Sequence, residues 1–183
     1  LVRLESGEEL RARCTVVATE GPEAARLTGA FPAPASRPAT CVYFAAPEPP
    51  VADPILVLNG NNKWPINNAC VLSQVAPEYA PQGRSLVSVT VLGRNTSSDA
   101  ELEPVVRRQL LRWFGRGVKD WRPLGIYRIP HAQPDQVPPG IPVEQLPVRL
   151  SPGLYVCGDH RDNASINGAL VSGRRAAEAI LED

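Results

Sequence analysis

The sequence predicts a mixed α/β fold, with a strand-turn-helix unit near its C-terminal end and an antiparallel sheet in its middle. In residues 153–180 a short apolar run is followed by a glycine and then by apolar residues at helical spacing. In the middle, apolar and polar residues alternate between turn-forming clusters of Asn, Gly and Pro. The chain has 183 residues, 43% of them hydrophobic, so it is long enough to bury a sizeable core.

The C-terminal unit begins with a strand that is apolar on both faces. Residues 154–157 contain no charged position, which is typical of a strand buried in a parallel or mixed sheet. The chain turns at Gly158, and a helix follows whose packed face we expect to consist of Ile166, Ala169, Leu170, Gly173, Ala177 and Ile180. Each glycine inside a helix costs about 1 kcal/mol against alanine, so we expect close packing at Gly168 and Gly173.

The junction of this strand and helix is a candidate ligand site. A helix that starts beyond the carboxyl end of a strand directs free backbone N–H groups and about half a positive charge into the crevice there, where anions and polar cofactors bind. Gly158 would allow close approach, Asp159 would offer a carboxylate to sugar-like hydroxyl groups, and Asn163 or Ser165 would cap the helix. The same pattern suits an ordinary terminal helix packed on a core strand, and the residues alone leave both interpretations open.

Residues 153–180 resemble the C-terminal flavin motif of the FAD-dependent amine oxidase superfamily, which includes phytoene desaturase-like and protoporphyrinogen oxidase-like enzymes. In that superfamily the strand ends in Gly-Asp or Gly-Glu and the acid binds the ribityl chain of FAD, so the resemblance implies this role for Gly158 and Asp159. It further implies contacts from the backbone N–H groups of Ile166 and Asn167 to the flavin pyrimidine oxygen, and a Gly-Ala step in the first helical turn at Gly168 and Ala169. The helix end would then favour the anionic reduced flavin.

Residues 1–30 predict a hairpin, a strand and a short helix. Apolar residues alternate with polar ones on both sides of a Glu-Ser-Gly-Glu turn, and residues 15–19 follow as a buried strand. Gly21 and Pro22 then open a helix that runs through Leu27. The order is similar to the segment by which the superfamily re-enters its FAD domain.

Residues 31–125 predict a separate antiparallel layer. Strands are expected at residues 40–45, 55–58, 69–75 and 85–92, with proline-rich or Asn-Gly turns around them. Ser98 and Glu101 form a capping-box signature at the start of a helix over residues 99–114. Four arginines lie on this helix or just after it, and they suit either a solvated basic face or a binding patch: Arg107, Arg108, Arg112 and Arg116. The resemblance implies a substrate domain here; the residues alone predict an antiparallel platform.

Residues 126–183 are expected to form a flavin-facing loop followed by the strand-turn-helix unit. The resemblance makes Tyr127 and His131 candidates for lining the substrate pocket, since superfamily members bring this segment past the flavin ring. A tyrosine and a histidine in an edge strand also serve packing and hydrogen bonding, and this alternative stays open. The prolines between positions 130 and 152 alternatively suit an extended ligand for an aromatic groove.

The superfamily's pyrophosphate fingerprint, Gly-x-Gly-x-x-Gly between a strand and a helix, does not occur in the sequence. The fold class that the resemblance implies is therefore the C-terminal part of an FAD/NAD(P)-binding Rossmann-like domain plus an antiparallel-sheet substrate domain. The expected partner in cofactor binding is a missing N-terminal part of the same protein, and the fragment alone is expected to be inactive. The alternative is a non-catalytic interaction module or an inactive fragment without the nucleotide-binding half.

Departures from the superfamily pattern narrow the expected chemistry. Ser165 stands where amine oxidases commonly place an aromatic residue, and residues 39–42 lack the lysine that some members use. The segment around Tyr127 and His131 lacks the cysteine that binds flavin covalently in some members, which implies non-covalent FAD. The resemblance thus implies hydride transfer from a substrate C–H to FAD, desaturase- or oxidase-like, on a small apolar molecule. No residue is a convincing general base, so catalytic residues stay unassigned.

Composition and motifs argue against several other classes of protein and of binding site. The net charge is zero and no nucleic-acid motif is present, so we expect no nucleic-acid partner. No apolar run approaches the roughly 20 residues of a transmembrane segment, and we expect an intracellular protein without distinguishing cytoplasm from plastid. The four cysteines include no Cys-x-x-Cys pair and are expected to be buried free thiols, with disulfides or metal as the less favoured alternative. With His131 and His160 as the only histidines, no metal site is expected.

Overall fold

The structure is a computed structural model that describes residues 1–61, 63–136 and 145–183. The strands are β1 (Val2–Arg3), β2 (Glu9–Leu10), β3 (Thr15–Val17), β4 (Ser36–Ala46), β5 (Leu56–Leu58), β6 (Ile66–Val71), β7 (Ser85–Leu92), β8 (Arg122–Pro134), β9 (Arg149–Ser151) and β10 (Leu154–Val156). The helices are α1 (Gly21–Thr28), α2 (Leu72–Val75), α3 (Asp99–Phe114) and α4 (Ile166–Leu181). The predicted mixture of helices with parallel and antiparallel strands is confirmed.

The chain divides into two compact units, the first formed by residues 1–37 and 131–183 and the second by residues 38–130. The first unit holds a three-stranded sheet in the order β3-β10-β9, and β1 pairs with β2 in a separate antiparallel ribbon. Strand β10 is central and pairs in parallel with β3, and its residues Tyr155 and Val156 are fully buried. The prediction of a buried strand at residues 15–19 was wrong, because β3 is an edge strand and Val16 remains 43% exposed.

The second unit contains a five-stranded sheet in the order β5-β6-β7-β4-β8. Strands β4 and β7 pair antiparallel without interruption from Ala39 opposite Leu92 to Ala46 opposite Ser85. Because side chains alternate between faces, one face of the sheet carries the buried core, including Val42, Phe44, Val87 and Val89. Helix α3 adds Leu102, Val106 and Leu110 to this core.

Helix α3 begins and ends at the predicted residues. The Ser98 N–H donates to the Glu101 carboxylate at 2.8 Å, so the predicted capping box forms. Arg107 does not contribute to a solvated face: it bonds the Glu103 carboxylate and donates to the carbonyl oxygens of Val118 and Trp121 at 2.6 and 3.0 Å.

One strand of the second unit is shorter than predicted. The strand predicted over residues 69–75 ends at Val71, and α2 follows it. The Ser73 hydroxyl accepts a hydrogen bond from the Leu86 N–H at 3.1 Å, so a side chain replaces the backbone partner that a longer strand would supply.

The four cysteines are free, as expected, but they are half-buried instead of buried. The proline-rich ligand predicted between positions 130 and 152 falls partly on residues 137–144, outside the described residues, and its first prolines, Pro130 and Pro134, lie in strand β8.

None of the helices in the described ranges is both long enough and apolar enough to cross a membrane.

Candidate functional site

The turn after β10 is built around Gly158. Its φ of 148° is a backbone conformation that favours glycine, and a Cβ at this position would lie 2.6 Å from the imidazole of His160. The buried hydroxyl of Ser172, on α4, accepts a hydrogen bond from the Gly158 N–H at 2.9 Å. The same hydroxyl lies 2.8 Å from the Gly158 carbonyl oxygen and 2.9 Å from that of Ala169, which share its single proton. The turn is therefore fastened to the helix that follows it.

The first turn of α4 has free hydrogen-bond donors. Ser165 is the N-cap, as predicted, and its hydroxyl accepts from the Gly168 N–H at 3.0 Å. The backbone N–H groups of Ile166 and Asn167 have no acceptor among the described residues, because they occupy the first helical positions. A Cβ on Gly168 would lie 2.0 Å from the carbonyl oxygen of Asn163, which confirms close packing there.

The packed face of α4 differs from the prediction. Its buried residues are Gly168, Ser172 and Ala176, whereas Ile166 and Leu170 are 83% and 67% exposed. Small side chains bring the helix close to the residues that follow the Gly158 turn, and the hydrogen bonds of Ser172 require this approach. Gly173, also expected to be closely packed, has no neighbouring atom within 4 Å of a built Cβ.

Asp159 lines a cavity of about 140 Å³ within the first unit. The same cavity is lined by Glu20, His131 and His160. Burial raises the pKa of the Asp159 carboxyl, against the opposing effect of the backbone N–H groups of His160 and Asp159 itself. The structure thus brings Asp159 and the predicted pocket residue His131 to one cavity, and Asp159 forms no ion pair with a described residue.

His160 and Arg161 form a feature of this site that was not predicted from the sequence. His160 is 6% exposed, both its ring nitrogens lack hydrogen-bond partners among the described residues, and burial lowers its pKa to about 4. Arg161 is 5% exposed, and Nε and Nη2 of its guanidinium likewise have no acceptor in the described ranges. The guanidinium carbon lies 3.7 Å from the centroid of the Phe31 ring. Buried polar groups normally have a partner, so these nitrogens indicate a place where a ligand or another segment binds.

The available sequence signal was the charged run Asp-His-Arg-Asp directly after a buried strand. Of this run only Asp159 was predicted to contact a ligand. The described residues contain no group of three or more His, Cys, Asp or Glu side chains arranged to hold an ion. Polar residues at the carboxyl end of a parallel strand pair are placed for ligand binding irrespective of metal.

The remaining predicted pocket residue, Tyr127, belongs to the second unit, where its side chain is 60% exposed on β8. Its ring contacts Tyr43 edge to face, with 5.7 Å between centroids. A Cβ on Gly125 would lie 3.0 Å from the Tyr127 ring, so glycine leaves room for that ring on the sheet.

The first unit holds a parallel strand pair that leads through a glycine turn into a helix whose first N–H groups have no acceptor among the described residues, and the second unit holds an antiparallel sheet. Together they define an α/β protein of two units. The model of the flavin containing amine oxidoreductase family matches residues 1–181, so the chain belongs to this family. Membership implies FAD as the cofactor.

Solved structures with the same fold include a proposed protoporphyrinogen oxidase from Exiguobacterium sp. 255-15 (TM-score 0.71, 18% identity, covering 98% of this chain and 43% of that one). An oxidoreductase from Methanosarcina mazei matches with a TM-score of 0.63 and 20% identity over 91% of this chain and 43% of its own. Iminodiacetate oxidase from Chelativorans sp. BNC1 matches with a TM-score of 0.54 and 15% identity over 98% of this chain and 45% of its own. The chain thus spans less than half the length of these proteins. No curated protein sequence matches it.

Proposed function

We propose that this chain is the C-terminal part of an FAD-dependent oxidoreductase in which a substrate C–H delivers hydride to non-covalently bound FAD, in a desaturase- or oxidase-like reaction. The observation that carries the proposal is the segment from the Gly158 turn to the start of α4. It presents a half-buried carboxylate, then two buried side chains with nitrogens that lack partners among the described residues, and then two backbone donors without an acceptor there. Family membership supplies the cofactor class, and two of the similar structures are named as oxidases.

The residues at the turn fit the groups that FAD presents. Asp159 would accept hydrogen bonds from ribityl hydroxyls, which would favour its ionised form and offset the raised pKa of the free site. The N–H groups of Ile166 and Asn167 would bind a pyrimidine oxygen, at the positive end of α4. Gly168 and Ala169 form the small-residue step that lets the first helical turn approach the ring.

When bound, FAD would supply the hydride acceptor, and this chain would supply orientation, exclusion of water and fixed charges. His160 is neutral at pH 7, so one ring nitrogen offers an N–H donor and the other an acceptor to a polar cofactor atom. Burial lowers the pKa of Arg161, but the ordinary pKa of arginine is so high that the guanidinium keeps its positive charge near the turn.

The substrate proposed for this reaction is a small apolar molecule, with Tyr127 and His131 lining its pocket. The partner proposed for cofactor binding is an N-terminal part of the same protein that carries the pyrophosphate site. An N-terminal part of this kind would account for the finding that this chain covers only 43% of the Exiguobacterium protein.

The test uses the complete protein that contains this chain. Purified protein should carry stoichiometric flavin with a visible absorption spectrum, and acid precipitation should release the flavin because no covalent bond holds it. Under anaerobic conditions, carotenoid-like and porphyrinogen compounds are then screened for bleaching of the flavin, with simple primary amines as the comparison class. A flavin-free protein, or bleaching by primary amines alone, would contradict the proposal.

A second candidate is an interaction module without catalysis. It is favoured by the apolar side of α4, where Ile166, Leu170 and Leu181 are 83%, 67% and 87% exposed. A complete protein that purifies without flavin and does not take up added FAD would support this candidate.

A further inference from the structure

One face of the sheet in the second unit is only partly covered by the described residues. The face opposite the α3 core carries Cys41, Tyr43 and Ala45 of β4 and Leu86 of β7, all half-buried, in contrast to the fully buried Val42 and Phe44 between them. Ala45 lies directly opposite Leu86 in the antiparallel register, so these side chains are adjacent. Because these apolar side chains are only half-buried by the described residues, the surface they form is accessible to a ligand.

Two adjoining hollows run along this face, and both use Leu86 and Leu124. The first has a volume of about 520 Å³ and is lined by Cys41, Tyr43, Leu86, Leu124, Tyr127 and Ile129. The second, of about 440 Å³, is lined by Ala45, Leu86 and Leu124 together with Tyr79, Arg84, Asp120 and Arg122, among others. We name the two hollows together the sheet trough. Its first part is apolar and aromatic, and charge is confined to its second part.

The charges in the trough are unbalanced. Arg84 and Arg122 form no ion pair with any described residue, and Asp120 is the only acidic residue in the lining. Elsewhere in the same unit, Arg107 is paired with Glu103 and Arg128 with Asp99. The unit's other arginines, Arg94, Arg108, Arg112 and Arg116, also form no ion pair with a described residue, so what distinguishes Arg84 and Arg122 is their place in the lining of an apolar trough. Two guanidinium groups against one carboxylate leave an excess positive charge at one end of an apolar trough.

We propose that the sheet trough binds an apolar carboxylic acid. Its ring or hydrocarbon body lies over Tyr43, Leu86 and Leu124, and its carboxylate faces Arg84 and Arg122. Apolar contact supplies the affinity, and the guanidinium groups select the acid over a neutral or cationic analogue, because arginine presents paired N–H donors that match a carboxylate. That this ligand is the substrate rests on the function proposed above; that the trough binds it does not.

The proposal is tested by titrating the full chain with 1-pyrenebutyric acid and, in parallel, with the neutral 1-pyrenebutanol, following pyrene fluorescence. Both probes share one aromatic body, so their difference reports the carboxylate. We expect the acid to bind at least fivefold more tightly, which corresponds to one or two exposed charge-assisted hydrogen bonds. Added salt should weaken the binding of the acid and leave that of the alcohol unchanged.

The variants Arg84→Gln and Arg122→Gln should each reduce the affinity for the acid about fivefold and leave that for the alcohol unchanged. Arg108→Gln, an exposed arginine of α3 outside the trough lining, is the matched control and should change neither affinity. Ala45→Phe should fill part of the trough and lower the affinity for both probes. Circular dichroism melting curves establish that each variant is folded. A second, conservative variant, Arg84→Lys, retains the charge and should keep part of the preference for the acid over the alcohol.

Equal affinity for acid and alcohol, or no binding of either, would overturn the proposal. So would an acid preference that survives both arginine substitutions. Flavin content is measured separately in the complete protein: loss of flavin with intact acid binding would remove the flavin function alone, and bound flavin without acid preference would remove this inference alone.

Discussion

The hydroxyl of Ser172 joins α4 to the backbone of Gly158, accepting the Gly158 N–H at 2.9 Å and lying 2.8 Å from its carbonyl oxygen. Ser172 is completely buried, so water cannot replace it as a partner. This contact fastens the start of the proposed cofactor turn to the middle of the helix.

Replacing Ser172 with alanine should therefore lower the free energy of unfolding by about 1–3 kcal/mol, since the half-buried Gly158 N–H loses its acceptor. Urea denaturation measures the change. Ser151→Ala, at an exposed position on β9, is the control and should have an effect within about 0.5 kcal/mol. A fully stable Ser172→Ala variant would show that the contact does not hold the turn.

The two glycines inside α4 make a matched pair. A Cβ at position 168 would lie 2.0 Å from the Asn163 carbonyl oxygen, so Gly168→Ala must displace backbone and should destabilise by about 1–3 kcal/mol. Gly173→Ala meets open space and should stabilise the helix by up to about 1 kcal/mol. Thermal melting of both variants gives the comparison, and effects of the same sign would contradict the packing described here.

Buried His160 predicts a pH dependence of stability. Burial lowers its pKa from 6.5 to about 4, so in that interval the unfolded chain binds a proton that the folded chain does not. The free energy of unfolding should fall as pH drops from about 6.5 toward about 4, by up to ~3 kcal/mol from this residue. The raised pKa of Asp159 acts with the opposite sign, because its ionisation as pH rises disfavours the folded state.

Denaturation at a series of pH values, compared between the parent protein and His160→Phe, isolates the histidine contribution. The phenylalanine retains a ring against Phe31, with which His160 stacks at 6.1 Å between centroids. The variant should lose most of the histidine-dependent slope, and His131→Gln should keep it. An NMR titration that places the His160 pKa near 6.5 would refute this account directly.

Features set by adjacent residues were predictable from the sequence. The capping box of Ser98 and Glu101 and the alternation over residues 85–92 gave α3 and β7 with correct ends, because these signals act within a few residues. The turn at Gly158 between a strand and a helix was likewise predictable, since the three parts are contiguous in the sequence.

The packed face of α4 was not predictable in the same way. Its apolar stripe is more conspicuous in the sequence than the small residues Gly168, Ser172 and Ala176, but tertiary contacts with the turn decided which face is buried. The burial of His160 and Arg161 depends on Phe31 and Gly21, more than 120 positions earlier in the chain, so no local pattern reveals it.

The most direct test of the central claim is the affinity of the complete protein for FAD, measured by flavin fluorescence quenching after removal and re-addition of the cofactor. Asp159→Ala should weaken binding at least tenfold, whereas Asp53→Ala, an exposed aspartate of the second unit, should bind as the parent does. Unchanged FAD affinity and an unchanged bound-flavin spectrum in Asp159→Ala would contradict the claim that the turn after β10 holds the flavin.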